Sequence, residues 1–80
     1  MLNIQVVGPG CANCNKLEQL CREVVAESGL EAQVEKISDY RKIVELGILL
    51  TPALILNGKM VSSGKLPSRN TLLQWFTEQS

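Results

Sequence analysis

Two of the three cysteines, Cys11 and Cys14, are separated by only Ala12 and Asn13. The turn-forming segment Gly8-Pro9-Gly10 precedes them and a long amphipathic stretch follows, which predicts a loop that becomes a helix at the cysteines. Free backbone N–H groups and the helix dipole favour a thiolate at a helix N-terminus. Because the second sulfur lies one turn along, the pair can close a disulfide and act as a dithiol/disulfide site.

The same spacing is also typical of half of a zinc site. Structural zinc takes four ligands, usually Cys or His, and this sequence offers Cys11, Cys14 and Cys21 and no histidine. A carboxylate such as Glu18, or cysteines pooled in a dimer, would have to complete the set. Both arrangements are less common than a closed Cys/His set, so the residues favour redox chemistry and leave zinc as an alternative.

Length and composition predict one globular domain over residues 1–80. Hydrophobic residues make up 45% of the chain, and three cysteines are too few for a disulfide-stapled scaffold. Eight basic and eight acidic residues give no net charge, which argues against nucleic acid or an anionic membrane as a partner. The sequence has no secretion signal or apolar membrane span, so we expect a soluble protein of the reducing cytoplasm. We also expect it to be a monomer.

Hydrophobic periodicity predicts the elements of the first half. Residues Leu2–Val7 form a strand, and helical spacing from Cys14 continues to Ser28, with Gly29 in the left-handed position that ends the helix. Glu31–Ile37 is the second strand. A short helix capped by Ser38 or Asp39 follows through Glu45, with Gly47 as its stop and an apolar set consisting of Tyr40, Ile43, Val44 and Leu46.

The second half begins with Thr51-Pro52 and the unbroken apolar run Ala53–Leu56, which predicts a central strand. Asn57-Gly58 predicts a hairpin into a last strand over 59–62. Ser68 caps a final helix that packs through Leu72, Leu73, Trp75 and Phe76. The resulting order, β-α-β-α-β-β-α, predicts an α/β fold with a mixed four-stranded sheet flanked by helices.

The ordered set of motifs resembles thioredoxin-like proteins, most of all the small thioredoxin/glutaredoxin-like redox-active disulfide proteins of prokaryotes. The elements that carry the resemblance are Cys11-Ala12-Asn13-Cys14, Gly47–Leu54 with its Thr-Pro, and Asn57-Gly58-Lys59. It covers nearly the whole chain. The resemblance implies a thioredoxin-like fold and a thiol–disulfide oxidoreductase that needs no bound cofactor.

Carried over by position, the resemblance implies that Cys11 attacks, Cys14 resolves, and Pro52 is a cis-proline facing the disulfide. Helical spacing agrees, because Cys14 begins the apolar face while Cys11 lies at the exposed helix start. The candidate substrate-binding residues are Thr51, Ala12 and Gly64. The implied partners are protein disulfide substrates and an unidentified reductase, with glutathione left open.

The sequence also departs from thioredoxins proper. They carry a buried acid six residues before the first cysteine, where this chain has Gln5, and a Trp where it has Gly10. Between the cysteines they have Gly-Pro rather than Ala12-Asn13. The redox potential and the reductase therefore cannot be carried over. Cys21, two turns after Cys14, is predicted to be a small buried core residue.

Two other functions remain alternatives. A soft-metal carrier can hold Cu(I) through the same two thiolates, but such domains have the order β-α-β-β-α-β, which differs from the one predicted here. A redox-inactive interaction module is disfavoured by the intact cysteine pair.

Overall fold

The computed structural model describes residues 1–79 and has the element order that the sequence predicts. In chain order the elements are β1 (Leu2–Val7), α1 (Ala12–Ser28), β2 (Ala32–Ile37), α2 (Tyr40–Glu45), β3 (Ala53–Leu56), β4 (Lys59–Ser63) and α3 (Arg69–Gln79). Predicted and observed strand boundaries differ by one residue, at the start of β2 and the end of β4.

The four strands form one mixed sheet in the order β2-β1-β3-β4. Strand β1 pairs in parallel with β2 and antiparallel with β3, and β3 pairs antiparallel with β4. The apolar strand β3 is therefore internal, as predicted. All four of its residues are buried, because helices cover both faces of the sheet.

The core consists of two clusters on opposite faces of the sheet. The larger cluster joins β1 and β3 to α1 and α3 through Leu2, Ile4, Val6, Leu17, Cys21, Val24, Leu54, Leu56, Leu72 and Phe76. The smaller cluster lies on the α2 side and comprises Val7, Ile37, Ile43, Ile48, Ala53 and Ile55. Alternation along β1 and β3 sends successive side chains to opposite clusters.

Three predicted helix ends are confirmed. The side chain of Asp39 accepts a hydrogen bond from Arg41 N at 3.0 Å at the start of α2. Ser68 Oγ accepts from Thr71 N at 3.2 Å at the start of α3. Gly29 ends α1 with φ +70°, and its N–H donates to Val25 O.

Two predicted packing faces are wrong in part. In α2 only Ile43 is buried, whereas Tyr40, Val44 and Leu46 are exposed. Because α2 has only six residues, it turns one side chain into the small cluster. In α3 Leu72 and Phe76 are buried, but Leu73 is exposed and Trp75 only half-buried.

Asn57, at the hairpin, joins three elements at the end of the sheet where β1 begins. Its Oδ1 accepts from Asn3 N at 2.9 Å, and its own N–H donates to Asn3 O at 2.8 Å. Its Nδ2 donates to Gln79 O, at the end of α3, at 3.2 Å.

No helix within residues 1–79 is long and apolar enough to cross a bilayer.

Candidate redox site

Cys11 is the N-cap of α1 and is an exposed residue. Its backbone is extended, with φ −65° and ψ 164°, and its Sγ accepts a hydrogen bond from Cys14 N at 3.2 Å. The carbonyl of Cys11 accepts the first intrahelical bond, from Asn15 N, at 3.0 Å. The sulfur thus occupies the place of a capping oxygen, where free N–H groups and the helix dipole stabilise negative charge.

Cys14 forms a disulfide with Cys11 but differs from it in exposure. The two Cα atoms are 5.0 Å apart, and Cys14 is fully buried at 0% exposure. This difference follows from the position of each residue, since Cys14 lies on the inner face of α1 with Leu17 and Cys21. One sulfur of the pair can therefore be reached from solvent and the other only from inside the site.

Gly8 makes room for the buried sulfur. A Cβ built on Gly8 would overlap Cys14 Sγ and lie 2.9 Å from Cys14 Cβ. It would also be 3.7 Å from Thr51 Cβ, so Gly8 lies between the disulfide and the loop before β3. The Gly8 N–H donates to Ile37 O at 2.8 Å, which fixes this backbone at the end of β1. From the sequence, Gly8 is predicted only to be a turn residue.

The loop before β3 is held from the other side by the end of β4. The Thr51–Pro52 peptide bond is cis, and Pro52 is buried. Pro52 O accepts from Gly64 N at 2.8 Å, and Leu50 O accepts from Ser63 Oγ at 3.2 Å. The structure therefore connects Cys14 to Thr51 through Gly8, and Pro52 to Gly64 directly.

The accessible surface around the site is partly apolar. Ala12, the first residue of α1, is exposed, and Thr51 is half-buried. Leu49 and Leu50, immediately before Thr51, are 93% and 62% exposed. Their exposed side chains form an apolar surface next to Thr51.

A polar network lies beside the start of α1. Lys36 Nζ, from β2, donates to Asn15 Oδ1 and is 3.5 Å from Glu18 Oε1. Asn15 Nδ2 in turn donates to Gly10 O at 3.4 Å. The hydrogen bond from Arg22, with the charge of Lys36, lowers the pKa of Glu18 despite partial desolvation. Sequence reasoning missed this network because it depends on the pairing of distant elements.

Cys21 does not belong to the site. It is fully buried in the larger core cluster, and burial raises the pKa of its thiol to about 12. A thiol that remains protonated at neutral pH is a poor nucleophile. The sequence prediction that Cys21 is a core residue agrees with this placement.

The acid that thioredoxins proper carry before the motif is not replaced by another buried acid in residues 1–79. Gln5 is half-buried at the corresponding position, and every buried side chain among these residues is apolar or a cysteine.

A metal-carrier function likewise finds no support. No three His, Cys, Asp or Glu side chains within 1–79 are grouped to hold an ion, and the element order differs from that of such carriers.

Comparison with known proteins agrees with this geometry. The family model described as a thioredoxin domain matches residues 2–77. A thioredoxin of Methanothermobacter thermautotrophicus is 39% identical over 72 residues, which cover 90% of this chain and 94% of that protein. The chain belongs to the thioredoxin family. It is accordingly a thiol–disulfide oxidoreductase, and the family membership implies disulfide substrates and a reductase in general terms.

Two further comparisons support the assignment to the thioredoxin family. A thioredoxin of Methanocaldococcus jannaschii is 32% identical over 68 residues, covering 85% of this chain and 78% of that protein. The solved structure of malaria parasite thioredoxin-2, described as a component of the parasite's protein secretion machinery, superposes with a TM-score of 0.76. That alignment covers 98% of this chain and 82% of the parasite chain at 14% identity, so it shows the thioredoxin fold alone.

Proposed function

We propose that the chain reduces disulfides in protein substrates, with Cys11 as the attacking thiol and Cys14 as the resolving thiol. The observation that carries this proposal is the unequal exposure of the two cysteines: Cys11 is exposed and Cys14 is fully buried. A substrate disulfide can approach only the exposed sulfur. The backbone N–H of Cys14, directed at Cys11 Sγ, supplies a donor for the thiolate in the reduced protein.

The reaction then runs in two exchanges. The Cys11 thiolate attacks one substrate sulfur, the substrate S–S bond breaks, and the other substrate sulfur leaves as a thiolate that takes a proton from water. Cys14 next loses its proton, which ends on the departing substrate sulfur, and attacks Cys11 Sγ in the mixed disulfide. The second substrate thiolate leaves and the Cys11–Cys14 disulfide forms. The substrate has gained two electrons, which a reductase or dithiol must return to the protein.

We assign substrate contacts to the residues beside the pair. Thr51 and Pro52 form the loop next to Gly8, Gly64 anchors that loop, and Ala12 lies on the exposed start of α1. An extended substrate segment laid along this loop would lie against the half-buried Thr51 and the exposed Ala12, as in other strand-like peptide complexes.

The same proposal extends to the setting of the protein. We take it to be a monomeric single domain, and we place it in the reducing cytoplasm because Cys21 is a free thiol and the redox pair Cys11–Cys14 is the only disulfide within residues 1–79. Glutathione is left as an alternative electron donor. A thioredoxin-type reductase is the partner we propose.

The test compares three variants in insulin reduction driven by dithiothreitol. Cys11→Ser should abolish the catalysed rate. Reduced Cys14→Ser, freed of dithiothreitol before insulin is added, should retain attack but accumulate a mixed disulfide with insulin, visible as a mass adduct that added dithiothreitol removes. Cys21→Ala is the matched control and should keep nearly the full rate. If Cys14→Ser forms no adduct while Cys11→Ser does, the two roles are reversed and the proposal is wrong.

A further inference from the structure

Lys36 is the cation at the centre of the network beside the active-site loop. Its side chain is 27% exposed and projects from β2 towards α1, where it contacts Asn15 and Glu18. Arg22 holds Glu18 in turn, at 2.9 Å. The ammonium is therefore anchored on two sides, by a carboxylate and by an amide.

The contact with Lys36 decides how the Asn15 amide is oriented. An ammonium group can only donate hydrogen bonds, so it must face the amide oxygen. The amide nitrogen, which can only donate, is then turned towards a carbonyl, and Gly10 O lies 3.4 Å from it. If the amide were flipped, two donors would face each other at Lys36 and two acceptors would face each other at Gly10.

The carbonyl that Asn15 contacts belongs to the residue before Cys11, in a loop that packing does not hold. Gly10 has φ +99°, and a Cβ built on it would meet no atom within 4 Å. No side chain of its own fixes this peptide group. The Asn15 hydrogen bond thus links the chain entering Cys11 to the first turn of α1.

We propose that Lys36 is a positioning residue for Cys11, acting through the Asn15 amide on the Gly10 carbonyl. The inference rests on the proposed role of Cys11 as the attacking thiol. In the reduced protein no disulfide ties Cys11 to α1, so the Gly10 contact keeps Cys11 Sγ over the N-terminal N–H groups. Loss of the contact lets the loop move, and the thiolate spends less time where those groups stabilise it.

The experiment measures the rate at which iodoacetamide alkylates each cysteine of the reduced, full-length chain at neutral pH, resolved by peptide mass. The variants are Lys36→Met, Asn15→Ala and the double variant, with Lys36→Arg as the conservative replacement. Lys16→Met is the matched control, since it also removes one positive charge near the start of α1. Within residues 1–79 the exposed Lys16 side chain forms no ion pair or hydrogen bond, so Lys16→Met changes the charge without disturbing the loop.

We expect Lys36→Met and Asn15→Ala each to slow alkylation of Cys11 by about two- to tenfold, the range that one hydrogen bond of ordinary net strength provides. The double variant should be no slower than Asn15→Ala, because both changes break the same path. Lys36→Arg should retain most of the rate, and Lys16→Met should match the unmodified chain. Unfolding midpoints should change little, since exposed ion pairs contribute little to stability.

Each contrary result has its own meaning. If Cys14 is alkylated before Cys11 in the unmodified chain, the proposed function loses its attacking residue and the inference falls with it. If Cys11 reacts first but Lys36→Met is no slower than Lys16→Met, the inference alone is overturned. If Lys36→Met slows alkylation of Cys11 but Asn15→Ala does not, the Lys36 charge acts directly on the thiol, and the inference is also overturned.

Discussion

Gly8 lies directly against Cys14, so close that a methyl group on Gly8 would overlap the sulfur and lie 2.9 Å from Cys14 Cβ. The buried half of the disulfide occupies the space that any other residue at position 8 would fill. Gly8 is also the only described glycine without a positive φ, so its requirement here is one of space and not of backbone conformation.

Gly8→Ala should therefore destabilise the oxidised protein by about 1–3 kcal/mol, the usual cost of overpacking a core position. The Cys14 side chain must move, so the equilibrium of the pair with a glutathione buffer should also shift. Denaturant unfolding of the oxidised and reduced forms measures the first effect, and alkylation of the equilibrated mixture measures the second.

Gly29→Ala is the matched control for that variant. Gly29 has φ +70° and open space around it, so its replacement costs backbone strain without a clash. It should lower stability by about 1 kcal/mol and leave the glutathione equilibrium unchanged. Equal shifts of that equilibrium in both variants would contradict the role given to Gly8.

Ionisation of the Cys21 thiol should lower the stability of the oxidised protein at alkaline pH. Its thiol pKa is raised by burial from an ordinary 9.0 to about 12, so the folded state keeps a proton that the unfolded state loses. The stability that the protonated Cys21 thiol contributes is fully present below pH 9 and is lost as the pH rises towards 12. The free energy of unfolding should drop by about 1 kcal/mol between pH 8 and pH 10.

Cys21→Ala removes that pH dependence and serves as its reference. The variant should be less stable at pH 7, by about 1–2 kcal/mol for the lost sulfur, but the difference from the unmodified chain should shrink at pH 10. Urea unfolding of the two oxidised proteins at both values makes the comparison. A constant difference would show that the Cys21 proton is not linked to folding.

Gly64→Ala should weaken the binding of protein substrates more than the chemistry at Cys11. Gly64 has φ +73°, and a Cβ there would be 3.0 Å from Leu50 Cβ, so the loop carrying Thr51 must shift. We expect KM for insulin to rise several-fold while alkylation of reduced Cys11 keeps its rate. Measured in a Leu50→Gly background, Gly64→Ala should raise KM less than it does in the unmodified chain, and an equal rise in both backgrounds would place the effect in the backbone strain alone.

The sequence predicted those parts of the fold that depend on local pattern. Alternation in Leu2–Val7, helical spacing after Cys14 and the Asn57-Gly58 turn each determine one element, and together they determined the sheet. The unequal burial of Cys11 and Cys14 also followed from helical spacing. Side-chain faces of the six-residue helix α2 did not, because one and a half turns cannot bury four apolar residues at once.

The parts of the site that sequence reasoning missed arise from contacts between distant elements. Lys36 reaches Asn15 only because β2 pairs in parallel with β1 and so lies beside α1. The space required at Gly8 depends on where α1 places Cys14. A glycine directly after a strand and before a C-x-x-C motif is a signal for such close approach, which the turn reading of Gly8-Pro9-Gly10 hid.

Asn57 also favours one pairing register of β1 with β3 over its neighbours. A slip of one residue would turn Leu54 and Leu56 away from the larger cluster and send Ile55 into it, exchanging one apolar side chain for another at low cost. The apolar pattern alone discriminates poorly between pairing registers in a strand that is buried on both faces. The hydrogen bond from Asn3 N to Asn57 Oδ1 forms in one alignment only, so a polar side chain at the far end of the sheet helps to fix where Ala53, and with it Thr51, lies relative to the cysteines.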